Sequence, residues 1–121
     1  MAVILIVDDE ALIRWSVAES LEAAGYQVVE AGCASEALRV FDSSRDVSLV
    51  VLDLKLPDSS DLGLLRRIRT IAPNSQVILM TAHGTPDVLE EARRLGACNV
   101  LEKPFDLRRF VDVVNSALQP A

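Results

Sequence analysis

Two hydrophobic periodicities alternate along this chain from one end to the other, and that alternation limits the fold more than any other feature. Short apolar, β-branched runs occur at Val3 to Val7, Gln27 to Glu30, Ser48 to Leu52, Gln76 to Met80 and Cys98 to Leu101. Between and after them, apolar residues recur at spacings of three and four, which marks one buried face of a helix. The stripes are Ile13, Val17 and Leu21; Ala34, Ala37, Leu38 and Phe41; Leu65, Ile68 and Ala72; Val88, Ala92 and Leu95; and Leu107, Phe110, Val111, Val114 and Leu118. Three of the strand runs are nearly continuous Val, Ile and Leu, as befits strands covered on both faces of a parallel sheet.

The boundaries carry their own chemistry. Gly25 and Gly96 fall just after helical stripes, where a left-handed residue ends a helix at little cost. Thr85-Pro86 places a capping hydroxyl before a proline at the first helical position, and Asp106 is placed to cap the last helix. Five strands alternating with five helices predict right-handed crossovers and a doubly wound α/β sandwich of three layers. The expected sheet is parallel with strand order 2-1-3-4-5, the flavodoxin-like arrangement. Residues 1–121 read as a single domain, with no linker, internal repeat or low-complexity stretch.

Composition removes several classes of function. Eighteen acidic against 12 basic residues leave a net charge of −6, a field that repels phosphate, so neither nucleic acid nor an anionic membrane is an expected direct ligand. The run Ala2 to Val7 is too short to span a bilayer and ends on Asp8-Asp9. Cys33 and Cys98 form no CxxC pair and read as free thiols of a reducing, cytoplasmic compartment. His83 is the single histidine, which makes a zinc site a poor reading.

In a sheet of this kind, ligands bind beyond the carboxyl ends of the strands, near the point where strand order reverses. Asp8, Asp9 and Glu10 follow the first strand, Asp53 the third, Thr81 the fourth, and Lys103-Pro104 the fifth. Clustered carboxylates repel one another, and hard oxygen donors without thiol or imidazole suit Mg²⁺. Asp8 and Asp9 are then the candidates to hold the ion and Asp53 the candidate nucleophile. Lys103 and Thr81 would contact phosphoryl oxygens, a sufficient kit for phosphoryl transfer. Pro104, for which a cis peptide is open, would set the angle of the lysine's loop. Each residue alone has a plainer reading: acids suit a helix start, and a lysine suits a solvated surface. The joint placement at one edge favours the chemical one.

These segments resemble the receiver domain of bacterial two-component response regulators, the CheY-like superfamily. The likeness is carried by Ile4-Leu5-Ile6-Val7-Asp8-Asp9-Glu10, Val51-Leu52-Asp53-Leu54-Lys55-Leu56-Pro57, Val77-Ile78-Leu79-Met80-Thr81-Ala82-His83 and Leu101-Glu102-Lys103-Pro104-Phe105. The resemblance implies phosphotransfer from a sensor histidine kinase onto Asp53. It also implies Mg²⁺ held by Asp8, Asp9, Asp53 and the backbone carbonyl of Lys55, with switch and phosphate-contact roles for Thr81 and Lys103. Such a domain is not an enzyme beyond its own phosphotransfer and autodephosphorylation. Ile13-Arg14-Trp15 and Thr81-Ala82-His83 resemble receivers of NtrC-type activators, which implies an excised module whose effector domain acts on transcription; a stand-alone receiver fits the same residues.

Departures from the family pattern set further expectations. Val100 stands where an aromatic usually precedes the lysine by three residues, so the switch is expected to rely on the loop after Thr81 and the helix from Pro86. Asp61 stands where Gly is common, so the loop Asp58 to Asp61 can differ. Lys55 and His83 occupy positions that tune phosphate lifetime and offer no acid or amide to orient water, which predicts slow hydrolysis. Arg93-Arg94 and Arg108-Arg109, with Glu90-Glu91 and Asp112, suggest a charged homodimer surface on the fourth and fifth helices. Two other readings stay open: a degenerate receiver serving only as an interaction module, and a flavin-binding module of the same architecture.

Overall fold

The computed structural model describes residues 2–43, 46–58, 62–82 and 84–119. The expectations placed on Asp61 and His83 lie outside them. In chain order the elements are β1 (Val3–Val7), α1 (Ala11–Ala23), β2 (Gln27–Ala31), α2 (Ala34–Asp42), β3 (Leu49–Asp53), α3 (Gly63–Ile71), β4 (Gln76–Thr81), α4 (Pro86–Arg94), β5 (Asn99–Glu102) and α5 (Leu107–Leu118). The strands form one parallel sheet in the order β2-β1-β3-β4-β5, as the sequence predicts.

Alternation along each strand divides the core in two. Leu5, Val7, Val50, Leu52, Val77 and Leu79 point to the face covered by α2, α3 and α4, where they meet Ala37, Leu65, Ile68 and Ala92. Ile4, Ile6, Leu49, Val51, Ile78 and Met80 point to the opposite face and meet Val17, Leu21, Phe110 and Val114 of α1 and α5. Every residue of β3 is buried, so its near-continuous apolar run has partners on both sides. At about 1.5–3 kcal/mol for each large aliphatic or aromatic side chain, these two layers supply the main force holding the sheet's edge in place.

The punctuation is as expected. Gly25 and Gly96 adopt φ of 99° and 102°, Thr85 Oγ1 accepts the Val88 N–H at 3.3 Å, and Asp106 Oδ1 accepts that of Arg108 at 2.7 Å. The Lys103-Pro104 peptide is cis.

Three expectations change. Asp53 and Thr81 are the last residues of their strands rather than the first of the loops, because Asp53 stays in register with Met80 and Thr81 with Glu102. The fifth strand is shifted by one residue from Cys98–Leu101 to Asn99–Glu102. Leu107 is 38 % exposed: it opens α5 at the rim of the sheet, where it borders an open groove with Leu12, Ile13 and Phe105 instead of the core.

Candidate functional site

The strand order reverses between β1 and β3, and the carboxyl ends of these neighbours bring Asp8 and Asp53 together. Backbone ladders hold the site residues past the strands themselves. The Asp8 N–H donates to the Ala31 carbonyl at 3.1 Å, the Leu54 N–H to that of Met80 at 3.0 Å, and the Lys103 N–H to that of Thr81 at 2.7 Å. Asp8, Asp53 and Thr81 are buried polar residues at this edge, while Asp9 and Glu10 are exposed.

Lys103 joins the acids. Its Nζ lies 2.9 Å from Asp8 Oδ2, 3.1 Å from Asp53 Oδ2 and 3.4 Å from Glu10 Oε1. The other Asp8 oxygen accepts the Glu10 N–H at 2.9 Å, and Asp53 Oδ1 accepts the Lys55 N–H at 3.2 Å. Burial pushes the Asp53 carboxyl above its ordinary value, helped by the Asp8 charge and only partly offset by the Lys55 N–H and by Lys103. Burial pulls the Lys103 ammonium the other way from its carboxylates, and the hydrogen bonds and charges of Asp8 and Asp53 win, leaving its pKa above the usual lysine value.

One ammonium does not balance four acids. Asp8, Asp9, Glu10 and Asp53 each offer a carboxylate oxygen within 4.8 Å of the others, a spacing at which two like charges repel by roughly 3–4 kcal/mol at an effective dielectric of about 20. The donors are all hard oxygens, with no thiol or imidazole among them; Asp9, Glu10 and Asp53 line an open cleft of about 580 Å³ together with Lys55, Thr81 and Lys103, and Asp8 lies buried behind them. That set fits a small divalent cation that retains water. Asp53, at the cleft wall, has the Lys103 ammonium on one carboxylate oxygen and the Lys55 amide on the other.

The N-cap of α1 is Glu10, without a side-chain cap, and the Asp8 carboxylate at this helix start accepts the Glu10 N–H and meets Lys103. Val100 is half-buried against the core under α2, α3 and α4, as its reading as a strand residue requires. Lys55 is exposed at the cleft.

Three further residues take part that the strand-end pattern does not single out. Glu10, the third acid after β1, contacts Lys103. Arg14 donates Nη1 to the Asp8 carbonyl at 2.6 Å and Nε to Glu30 Oε1 at 3.0 Å. Asp58, five residues after Asp53, accepts the N–H groups of Ala34 and Ser35 at 2.7 and 3.1 Å and so caps α2 from a distant loop; those two bonds hold its carboxyl below the ordinary value.

Residues 4–115 match the response regulator receiver domain. The chain belongs to that family. This receiver is 38 % identical to sporulation initiation phosphotransferase F of Bacillus subtilis, over 95 % of the chain and 92 % of that protein. It is also 38 % identical to the DNA-binding transcriptional regulator NtrC of Azospirillum brasilense, over 97 % of the chain but only 24 % of that protein. The receiver thus spans about a quarter of the length of that regulator. Among solved structures, the receiver domain of NtrX from Brucella abortus superimposes with a TM-score of 0.88 at 36 % identity, covering 98 % of this chain and 99 % of that one. The chain is a receiver domain of two-component response regulators, similar in sequence to NtrC-type members.

Proposed function

We propose that this receiver accepts a phosphoryl group on Asp53 from a sensor histidine kinase and changes conformation to control an output. The observation that carries the reading is the bridge from Lys103 to Asp8 and Asp53 within a cluster of four carboxylates. Asp8, Asp9, Asp53 and the Lys55 carbonyl would hold Mg²⁺, which supplies charge neutralisation for the incoming phosphoryl oxygens. The Asp53 oxygen attacks phosphorus as the bond to the donor nitrogen breaks, and the departing imidazole keeps the electron pair. Lys103 then exchanges a carboxylate for a phosphoryl oxygen, and Thr81, buried at the next strand end, donates its hydroxyl to another. The added charge and acceptor oxygens bias the loop after Thr81 and α4 toward their second arrangement.

The chain catalyses only its own phosphotransfer and autodephosphorylation, in the cytoplasm. Its likeness to NtrC-type regulators supports an attached effector domain acting on transcription. A homodimer through α4 and α5 is supported by the exposed Arg93, Arg108, Arg109, Glu90 and Asp112; Glu91 is instead engaged within the chain, by Arg94 at 3.2 Å and Arg66 at 3.4 Å. Among the described residues, no helix is long and apolar enough to cross a membrane.

Incubation with acetyl phosphate and Mg²⁺, followed by intact mass spectrometry, tests the reading. Wild type gains one phosphoryl group, and Asp53→Asn gains none. An unmodified wild type would make the domain an interaction module that works without phosphorylation.

A further inference from the structure

The two carbonyls that flank Asp9 are both held by one residue. Arg14 donates its backbone N–H to the Glu10 carbonyl at 2.9 Å and its Nη1 to the Asp8 carbonyl at 2.6 Å. The first bond belongs to the opening turn of α1, which any residue but proline would make. The second needs a long side chain that folds back over the end of β1.

The guanidinium is itself anchored. Its Nε meets Glu30 of β2 at 3.0 Å, and the arginine side chain is 22 % exposed. The turn after β2 closes over it without a side chain in the way: a Cβ on Gly32 would stand 3.4 Å from Nη1 and 3.2 Å from Glu36 Oε1, the same oxygen that accepts the Gly32 N–H at 2.6 Å. The planar fork of arginine lets one group reach a carbonyl and a carboxylate at once, which the ammonium of lysine does not reproduce.

We infer that Arg14 is a positioning residue of the metal site, fixing the Asp8-Asp9 peptide so that the Asp9 carboxylate is aimed at the ion. Glu30 anchors the guanidinium through Nε while Nη1 holds the Asp8 carbonyl. The inference rests on the reading of Asp8 and Asp9 as Mg²⁺ ligands. Its sign separates it from simple electrostatics. Deleting a positive charge beside a cluster of acids would by itself tighten cation binding, whereas loss of ligand orientation weakens it, by roughly tenfold for groups that orient ligands from outside the coordination shell.

The test is a MgCl₂ titration of wild type, Arg14→Ala and Arg14→Lys followed by backbone amide NMR shifts. The acetyl phosphate reaction is measured in parallel across Mg²⁺ concentrations. Arg14→Ala should raise the Mg²⁺ Kd by roughly tenfold while the rate at saturating Mg²⁺ stays near that of wild type. Arg14→Lys, which keeps the charge and so isolates the geometry, should fall between the two. Arg14→Lys also serves if the alanine variant does not fold. An unchanged or lower Kd in either variant overturns the inference with the metal reading intact. Absence of Mg²⁺-dependent shifts at Asp9 and Asp53 in wild type overturns both.

Discussion

Lys103 Nζ lies 3.1 Å from Asp53 Oδ2, across a gap of fifty residues in the chain, with the lysine side chain 11 % and the aspartate 7 % exposed. A pair this dry ties the end of β5 to the end of β3, and its energetics are set by the two further acids, Asp8 and Glu10, that share the same ammonium.

Removing the ammonium should therefore be expensive. Lys103→Gln leaves Asp8 and Asp53 buried without their cation, and the expected loss is about 3 kcal/mol in Mg²⁺-free buffer. Urea unfolding with and without Mg²⁺ checks this. Most of the loss should return at saturating Mg²⁺, because the ion neutralises the same oxygens.

Removing an acid should do the reverse. Asp9 is exposed and adds to a crowded negative cluster, so Asp9→Asn should stabilise the metal-free protein by about 1 kcal/mol. The same variant should lose the stabilisation that Mg²⁺ gives wild type, about 1.4 kcal/mol at ten times Kd. Thermal melts in EDTA and in Mg²⁺ would show the two curves crossing.

Asp58 predicts a pH dependence. Its carboxyl is held below the ordinary value of 3.8 by the Ala34 and Ser35 N–H groups. A depressed folded-state pKa gives stability that is present above 3.8 and is lost as pH falls through the folded value. Asp58→Ala should thus be less stable than wild type at neutral pH, and the difference should shrink below the ordinary carboxylate range. Denaturation midpoints measured from neutral to strongly acidic pH follow it directly.

Phosphate lifetime is a fourth expectation. Lys55 stands exposed beside Asp53 and offers an ammonium, not a carboxylate or amide, toward an attacking water. Phospho-Asp53 should persist for minutes or longer after acetyl phosphate is removed. Decay within seconds, followed by mass spectrometry, would contradict this.

The positions of Asp8, Asp53, Thr81 and Lys103 were legible in the sequence because a parallel sheet gathers the residues that end its strands, whatever their separation in the chain. The turn glycines and the Thr85 and Asp106 caps were legible for a simpler reason, since their chemistry is local. Arg14 with Glu30 and Asp58 with Ala34 were not. Each pair joins residues 16 and 24 positions apart through side chains, and no periodicity encodes such a contact. Leu107 shows the opposite limit: it keeps the spacing of the α5 stripe, but it sits at a helix end where the sheet no longer covers that face.

The central claim is that Asp53 itself forms the acyl phosphate. Borohydride reduction of the acetyl phosphate-treated protein, followed by peptide sequencing by mass spectrometry, reads the modified position. The account predicts Mg²⁺-dependent conversion of residue 53 to homoserine. Reduction at another carboxylate, or none, would contradict it.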